Sequence, residues 1–271
     1  QYLRTIIFPD SVEELEDYAL CNCYNIEFII GRGIKRIGTE MTWSEILILD
    51  TPAVETIGEL AFQYVGRELD FPELQEAGNY LFYCAKNLKE VNFPKLKAVS
   101  YKMFSDCYIL RTVKLDSVES VDADAFANCY LLKNIYMPEL KHFINVNEPD
   151  EGTFYRCYNL NEVNFPFVEE ISELCFQECK NLVKADFASA KIIESSAFIH
   201  CYELTEIYFP KLKEIDDRAF FSTDLSDVNL PSLATIGKDA FCNSTISSLY
   251  APSLESIEST AFSSYNEMYS E

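Results

Sequence analysis

The feature that most constrains this chain is a phase-locked repeat. Phe62, Phe82, Phe104, Phe126, Phe154, Phe176, Phe198, Phe220, Phe241 and Phe262 step along it by 20, 22, 22, 28, 22, 22, 22, 21 and 21 residues. Leu20 and Thr42 continue the series backward, giving twelve anchors. Ten residues before seven of the anchors lies a proline: Pro52, Pro72, Pro94, Pro166, Pro210, Pro231 and Pro252. Asp116 and Ala188 hold that place where proline is missing, and Pro138 lies sixteen before Phe154 because of an insertion. A unit this short cannot bury an apolar side alone, so it must stack on its neighbours.

One copy, Leu88 to Cys107, shows how. Its first half alternates, with Val91 and Phe93 apolar and Glu90 and Asn92 polar, which is the period of a strand. Pro94 follows at once and removes an N–H donor, as suits a strand end. From Val99 through Phe104 to Cys107 the apolar spacing is five and then three, which predicts a short helical turn, 3₁₀ or irregular coil. The predicted fold is a right-handed repeat solenoid of about twelve coils of 20–23 residues. A parallel β-sheet lines one face, short helical or irregular segments line the other, and twelve coils extend over roughly 50–60 Å. Residues 1–271 read as one domain with an inserted loop at about 144–152. The shortened coils around Thr42, Phe62 and Phe82 are expected to tighten or bend the stack.

The pattern running from Phe209-Pro210 through Leu212 and Ile215 to Ala219-Phe220, and from Ala125-Phe126 through Cys129 and Leu132 to Ile135, resembles the BspA-like leucine-rich repeat. The similarity covers essentially the whole chain. Members of that family are mostly cell-surface or secreted proteins implicated in adhesion, matrix-protein binding and co-aggregation. The resemblance therefore implies an extracellular or cell-surface location and a non-catalytic role in binding.

Ten cysteines invite a disulfide framework. Six of them, Cys23, Cys107, Cys129, Cys157, Cys179 and Cys201, lie three residues after an anchor, and Cys84 lies two after. They read as an interior column of small apolar side chains. In-register side chains point the same way and do not meet disulfide geometry. No metal is expected: Cys21-Asn22-Cys23 is one residue short of the usual zinc spacing, and Cys175 to Cys179 has no second pair. Nor is a catalytic group expected. His200 precedes Cys201, but that cysteine is a repeat position, and no G-x-S-x-G, P-loop or G-x-G-x-x-G motif occurs. No cofactor is implied.

With 22 Lys+Arg against 44 Asp+Glu the net charge is −22, which disfavours nucleic acid. The longest aliphatic run, Ile46 to Leu49, is far short of a membrane span, so no membrane insertion is expected. Gln1 opens on a strand-like run without a signal-peptide pattern, so any targeting segment is expected outside these residues. The N-terminus reads as a cut edge of the stack, and the tail from Ser263 as an imperfect cap.

The residue two before each proline position projects outward from the strand, as does the one two further back. These positions bear Asp186 and Glu206 together with Tyr136, Tyr208 and Tyr250, an acidic face carrying tyrosines in its C-terminal half. Tyrosine offers rigid contact area and a polar tip, so this face is the candidate binding site for a basic or neutral protein or glycan. Asn145, Asn147, Glu148 and Asp150 of the insertion are loop candidates for the same role, without the register of a calcium loop. A second tyrosine set, Tyr24, Tyr108, Tyr130, Tyr158 and Tyr202, recurs at one place in the repeat and reads as corner packing. The chain is expected to be a monomer. The alternative reading is a structural spacer that presents another domain; an enzyme is a distant third.

Overall fold

A computed structural model of the chain describes residues 2–62, 69, 71–144 and 151–264. Among the described residues the first segments of the repeat form eleven three-residue strands, from Thr5–Ile7 to Ser248–Tyr250. After the turn that follows, the chain makes a second strand of two or three residues, and twelve of these run from Glu14–Leu15 to Ser256–Ile257. Every pairing is parallel and joins equal repeat positions: Thr112 lies opposite both Glu90 and Asn134, and Glu214 opposite Ile192 and Thr235. The molecule is a parallel β-solenoid with two strand faces.

Its third side corrects the helical expectation. Among the described residues there is no helix. Non-glycine residues in the left-handed region recur four apart instead: Lys102 and Asp106, Asp124 and Asn128, Leu174 and Glu178, Ser196 and His200, Arg218 and Ser222, Asp239 and Asn243. Alternate N–H groups thereby turn outward along the stack. Phe104 N donates to Ala125 O at 2.8 Å and Asp106 N to Ala127 O at 2.9 Å, while Ser105 N and Cys107 N close turns onto Lys102 O and Phe104 O. A helix would satisfy these donors internally; the turn spends half of them on the next coil. A left-handed L-residue costs about 1–2 kcal/mol, and the inter-coil bond offsets it.

The anchors fill the centre. Phe82, Phe104, Phe126, Phe154, Phe176, Phe198, Phe220, Phe241 and Phe262 stack face to face, with centroids 5.1–5.5 Å apart and near-parallel planes, as in Phe104–Phe126 (5.2 Å, 9°) and Phe198–Phe220 (5.2 Å, 1°). Strand-end rings such as Phe93, Phe165 and Phe209 are fully buried beside them. One continuous apolar core runs from Leu15 to Ala261.

All ten cysteines are free, and seven are buried. In the column each thiol donates to the carbonyl of the preceding anchor: Cys107 to Phe82, Cys129 to Phe104, Cys157 to Phe126, Cys179 to Phe154 and Cys201 to Phe176, at 3.1–3.3 Å. Cys84 does not belong to this column. It occupies a left-handed turn position, with its sulfur 3.8 Å from an Asp106 carboxylate oxygen, and Ala85 holds the interior place.

The shortened coils keep their register by close backbone approach. A Cβ on Gly58 would lie 2.6 Å from Thr39 N, and one on Gly78 2.3 Å from Glu59 N. Only the glycine hydrogen fits. Phe143, just before the insertion, packs edge-on against Phe154, Phe165 and Phe176. Asn145, Asn147, Glu148 and Asp150 of the inserted loop lie outside the described residues, as does the tail beyond Ser264.

Candidate functional site

Each strand of this face turns its middle residue inward, buried or half-buried, and presents its first and third. Glu90–Asn92, Glu162–Asn164 and Asp227–Asn229 all follow this exposed–buried–exposed pattern. The side chains of one face therefore form columns along the stack, one residue per coil. Tyr136, Tyr208 and Tyr250 end their strands and are 53%, 53% and 62% exposed. They are not neighbours. Two coils, ending in Asn164 and Asp186, separate Tyr136 from Tyr208, and Asn229 separates Tyr208 from Tyr250.

Three open hollows lie on this face. One of about 330 Å³ brings together Asp186, Glu206 and Tyr208 with Lys184 and Ile207. A second, about 230 Å³, joins Tyr136 to Lys133, Asn134 and Glu162. The largest, about 700 Å³, is lined by Leu69, Lys89, Glu90, Val91, Asn92, Thr112 and Lys114. Tyr250 borders none of the three. The 230 Å³ hollow straddles the insertion, where the ladder stops between Asn134–Tyr136 and Glu162–Asn164. The ladder stops again between Glu206–Tyr208 and Asp227–Asn229, beside the 330 Å³ hollow.

The face is not uniformly acidic. Lys89, Arg111 and Lys133 each precede a strand, and all three are exposed. Lys114 and Lys184 add to them, with Lys114 3.4 Å from Asp116. The outward positions considered from the sequence ended at the first strand residue, so this column, one position earlier, went unseen. Its sequence signal is plain in retrospect: a basic residue recurring at a 22-residue step.

The second strand face is built differently, with ion pairs that join neighbouring coils: Lys35–Glu13 (3.2 Å), Arg36–Glu14, Lys141–Glu119 (2.9 Å) and Lys191–Glu169 (2.7 Å). Toward its C-terminal half carboxylates gather. Glu194 is pushed up to about 7, by burial first and then by the hydrogen bond it donates to Glu170.

Three of the second tyrosine set pack as a ladder, while Tyr24 and Tyr202 are exposed and stand outside it. Tyr108, Tyr130 and Tyr158 stack at 5.1 and 5.2 Å, and the Lys180 ammonium lies over the outer face of Tyr158 at 5.2 Å. Their faces are engaged with one another. Cys201 points into the core, and burial pushes its thiol well above the usual range, so it is not poised as a nucleophile toward the adjacent His200. Among the described residues no group of three or more His, Cys, Asp and Glu converges as metal ligands would. Among them, too, no helix is long and apolar enough to cross a membrane.

Comparison with known proteins agrees with this geometry. The chain resembles the solved leucine-rich repeat protein from Bacteroides ovatus ATCC 8483 (TM-score 0.65, 24% identity, 96% of this chain and 76% of that one). A leucine-rich cell surface protein from Faecalibacterium prausnitzii A2-165 is more distant (TM-score 0.44, 20% identity, 95% and 87%). So is the pneumococcal vaccine antigen PcpA (TM-score 0.41, 18% identity, 96% and 80%). No curated protein matches the sequence. The model of the BspA-type leucine-rich repeat region matches residues 1–64, 43–148 and 147–269. With its repeat matched from end to end, the chain belongs to the BspA-type leucine-rich repeat family.

Proposed function

We propose that this chain is a non-catalytic adhesion or interaction module of a cell-surface or secreted protein, engaging a protein or glycan through the face of three-residue strands. The observation that carries the reading is the contrast between the two strand faces. The second face ties its charges into inter-coil pairs in several coils, whereas the first has such pairs in its opening coils, at Arg4–Glu27 and Arg32–Asp50. The first holds three open hollows and exposes its tyrosines. Exposed aromatic side chains beside convergent polar groups suit recognition. A surface location is in keeping with the name of the F. prausnitzii protein.

The test is a binding screen of the purified chain against matrix proteins and glycans, followed by Tyr136→Ala, Tyr208→Ala and Tyr250→Ala together. Binding weakened by the triple change supports the face; binding unchanged removes it.

A further inference from the structure

The basic column on the strand face calls for its own explanation. Residues 86–141 hold nine Lys+Arg against seven Asp+Glu, whereas the rest of the chain holds 13 against 37. Within that central stretch Lys89, Arg111 and Lys133 occupy one repeat position in three successive coils. Backbone bonds lock them as neighbours: Arg111 N donates to Lys89 O at 2.7 Å and Lys133 N to Arg111 O at 3.0 Å. The rise between those coils is that of the ring stack beneath them, 5.5 Å from Phe82 to Phe104 and 5.2 Å from Phe104 to Phe126. Like charges directly opposite on parallel strands destabilise a sheet.

Elsewhere the fold compensates such positions. On the second face Lys35 answers Glu13, Lys141 answers Glu119 and Lys191 answers Glu169, and the one like-charged step at that place, Lys213 N donating to Lys191 O at 2.8 Å, has Lys191 paired with Glu169. Among the described residues no ion pair within the chain answers Lys89, Arg111 or Lys133. A hollow of about 700 Å³ opens beside Lys89, offering Asn92 and Thr112 as hydrogen-bonding groups and Lys114 as a fourth cation. The hollow next along the column adds Asn134 and the exposed ring of Tyr136.

We propose that this column and its two hollows bind a linear anionic polysaccharide, laid along the solenoid axis with one acidic group on each of Lys89, Arg111 and Lys133. The inference rests on the reading of the strand face as the binding face and names a substrate class for its central coils. A chain of pyranose rings advances by about one coil rise per ring, so acidic groups turned to one side by rotation about the glycosidic bonds keep the column's spacing. An acidic peptide in extended form places same-side carboxylates about 6.8 Å apart, out of step with the coils. A nucleic acid carries denser charge and would extend over the acidic coils on either side. Carboxylate and sulfate groups share the chemistry that the column recognises. Asn92, Thr112 and Asn134 can pair with ring hydroxyls, and Tyr136 can stack on a ring.

The experiment titrates the whole chain, at low and high salt, with polygalacturonate, dextran sulfate, neutral dextran, poly-glutamate and single-stranded DNA. The expected result is salt-sensitive binding of one or both anionic polysaccharides, the two arms separating carboxylate from sulfate recognition. Lys89→Gln, Arg111→Gln and Lys133→Gln together should weaken it by about tenfold or more, with a shallower salt dependence. The same triple change should leave thermal stability equal or higher, because it relieves repulsion. Lys35→Gln and Lys191→Gln on the opposite face should leave polysaccharide binding unchanged. Failure of the wild-type chain to bind either polysaccharide overturns the proposal, as does unchanged binding in the triple variant. Equal or tighter binding of poly-glutamate or DNA overturns the choice of ligand. If neutral glycans or matrix proteins still bind in a Tyr136-, Tyr208- and Tyr250-dependent way, the strand-face reading survives that failure; if nothing binds, both fall.

Discussion

The thiol of Cys129 donates to the carbonyl oxygen of Phe104, 3.2 Å away and one coil earlier. That carbonyl already accepts from Cys107 N within its own turn, so the thiol occupies its second lone pair. The bond accounts for the recurrence of cysteine: a small apolar group with a donor fits the place, and Ala85, beside Phe82, fills it without the bond. Farther along, Thr223 and Ser244 take the same position and turn their hydroxyls onto Phe220 O and Phe241 O of their own coil. Cys157→Ala is expected to cost about 1–3 kcal/mol, from a small cavity and the lost bond, measured by chemical denaturation. Burial pushes the column thiols up. In the native protein a thiol reagent is expected to label only among Cys21, Cys23 and Cys84, which are partly exposed. Rapid native labelling of Cys107 or Cys129 would contradict this.

The ring stack carries the central packing, and position along the stack decides its cost. Phe126 is fully buried between Phe104 and Phe154, whereas Phe262 is 44% exposed and stacks on Phe241 alone. Phe126→Ala is expected to lose about 3–5 kcal/mol. Phe262→Ala is expected to lose under about 1.5 kcal/mol, because much of that ring is already in water. Denaturant titration of both variants checks the ratio. Equal losses would mean that the terminal coil is as tightly held as the middle.

Phe62, Pro94 and Cys129 were legible as sequence because each is the same residue type at a fixed step, and packing allows little else there. The left-handed turns were not. Lys102, Leu174 and Arg218 adopt positive φ without being Gly or Asn, so local propensity gave no sign, and the spacing from Val99 to Cys107 left helical turn, 3₁₀ and irregular coil open. The conformation is imposed by hydrogen bonds to the next coil, which become visible only once coils are stacked. Tyr208 and Glu206 were placed correctly on the outer face by strand alternation. Whether neighbours such as Lys89, Arg111 and Lys133 agree or conflict in charge is a relation between residues a full coil apart, and reading one copy at a time hides it.

Asn128 is the turn residue most tied to its surroundings. With φ at 60° it sits in the left-handed region, and its Nδ2 donates to Asp106 Oδ1 at 3.0 Å and Glu151 Oε2 at 3.2 Å. Asn tolerates this backbone readily, whereas a β-branched residue adopts it only under strain. Asn128→Val is expected to lose about 2 kcal/mol or more, combining backbone strain with the lost carboxylate partners. Asn128→Gly, which keeps the backbone free but loses the bonds, is expected to lose less. The comparison of the two by thermal denaturation separates conformation from hydrogen bonding, and equal losses would assign the whole effect to the side-chain bonds.

Glu194 gives the fold a pH dependence with a definite sign. Its carboxyl rises from an ordinary value of 4.5 to about 7, first through burial, then through the hydrogen bond with Glu170 and the nearby charges of Glu170 and Asp216. Its Oε2 also accepts from Glu173 N at 2.8 Å. A carboxyl raised on folding is protonated in the native state while the unfolded chain has already ionised. The resulting stabilisation is fully present below about pH 4.5 and is lost as pH rises through about 7. Asp216, raised by burial and by Glu214 and Asp217, acts in the same direction. Glu119 and Glu169 act oppositely: hydrogen bonds from Lys141 and Lys191 lower them, so their smaller contributions are lost as the medium becomes acidic. Stability is therefore expected to rise as pH falls from above 7 toward 5, then to decline at lower pH. Glu194→Gln, which stays neutral and keeps an acceptor for Glu173 N, is expected to flatten the change between pH 5 and 7 while leaving the acid limb intact. Melting curves of both proteins across that range test it, and an unchanged slope in the variant would assign the pH dependence to other carboxylates.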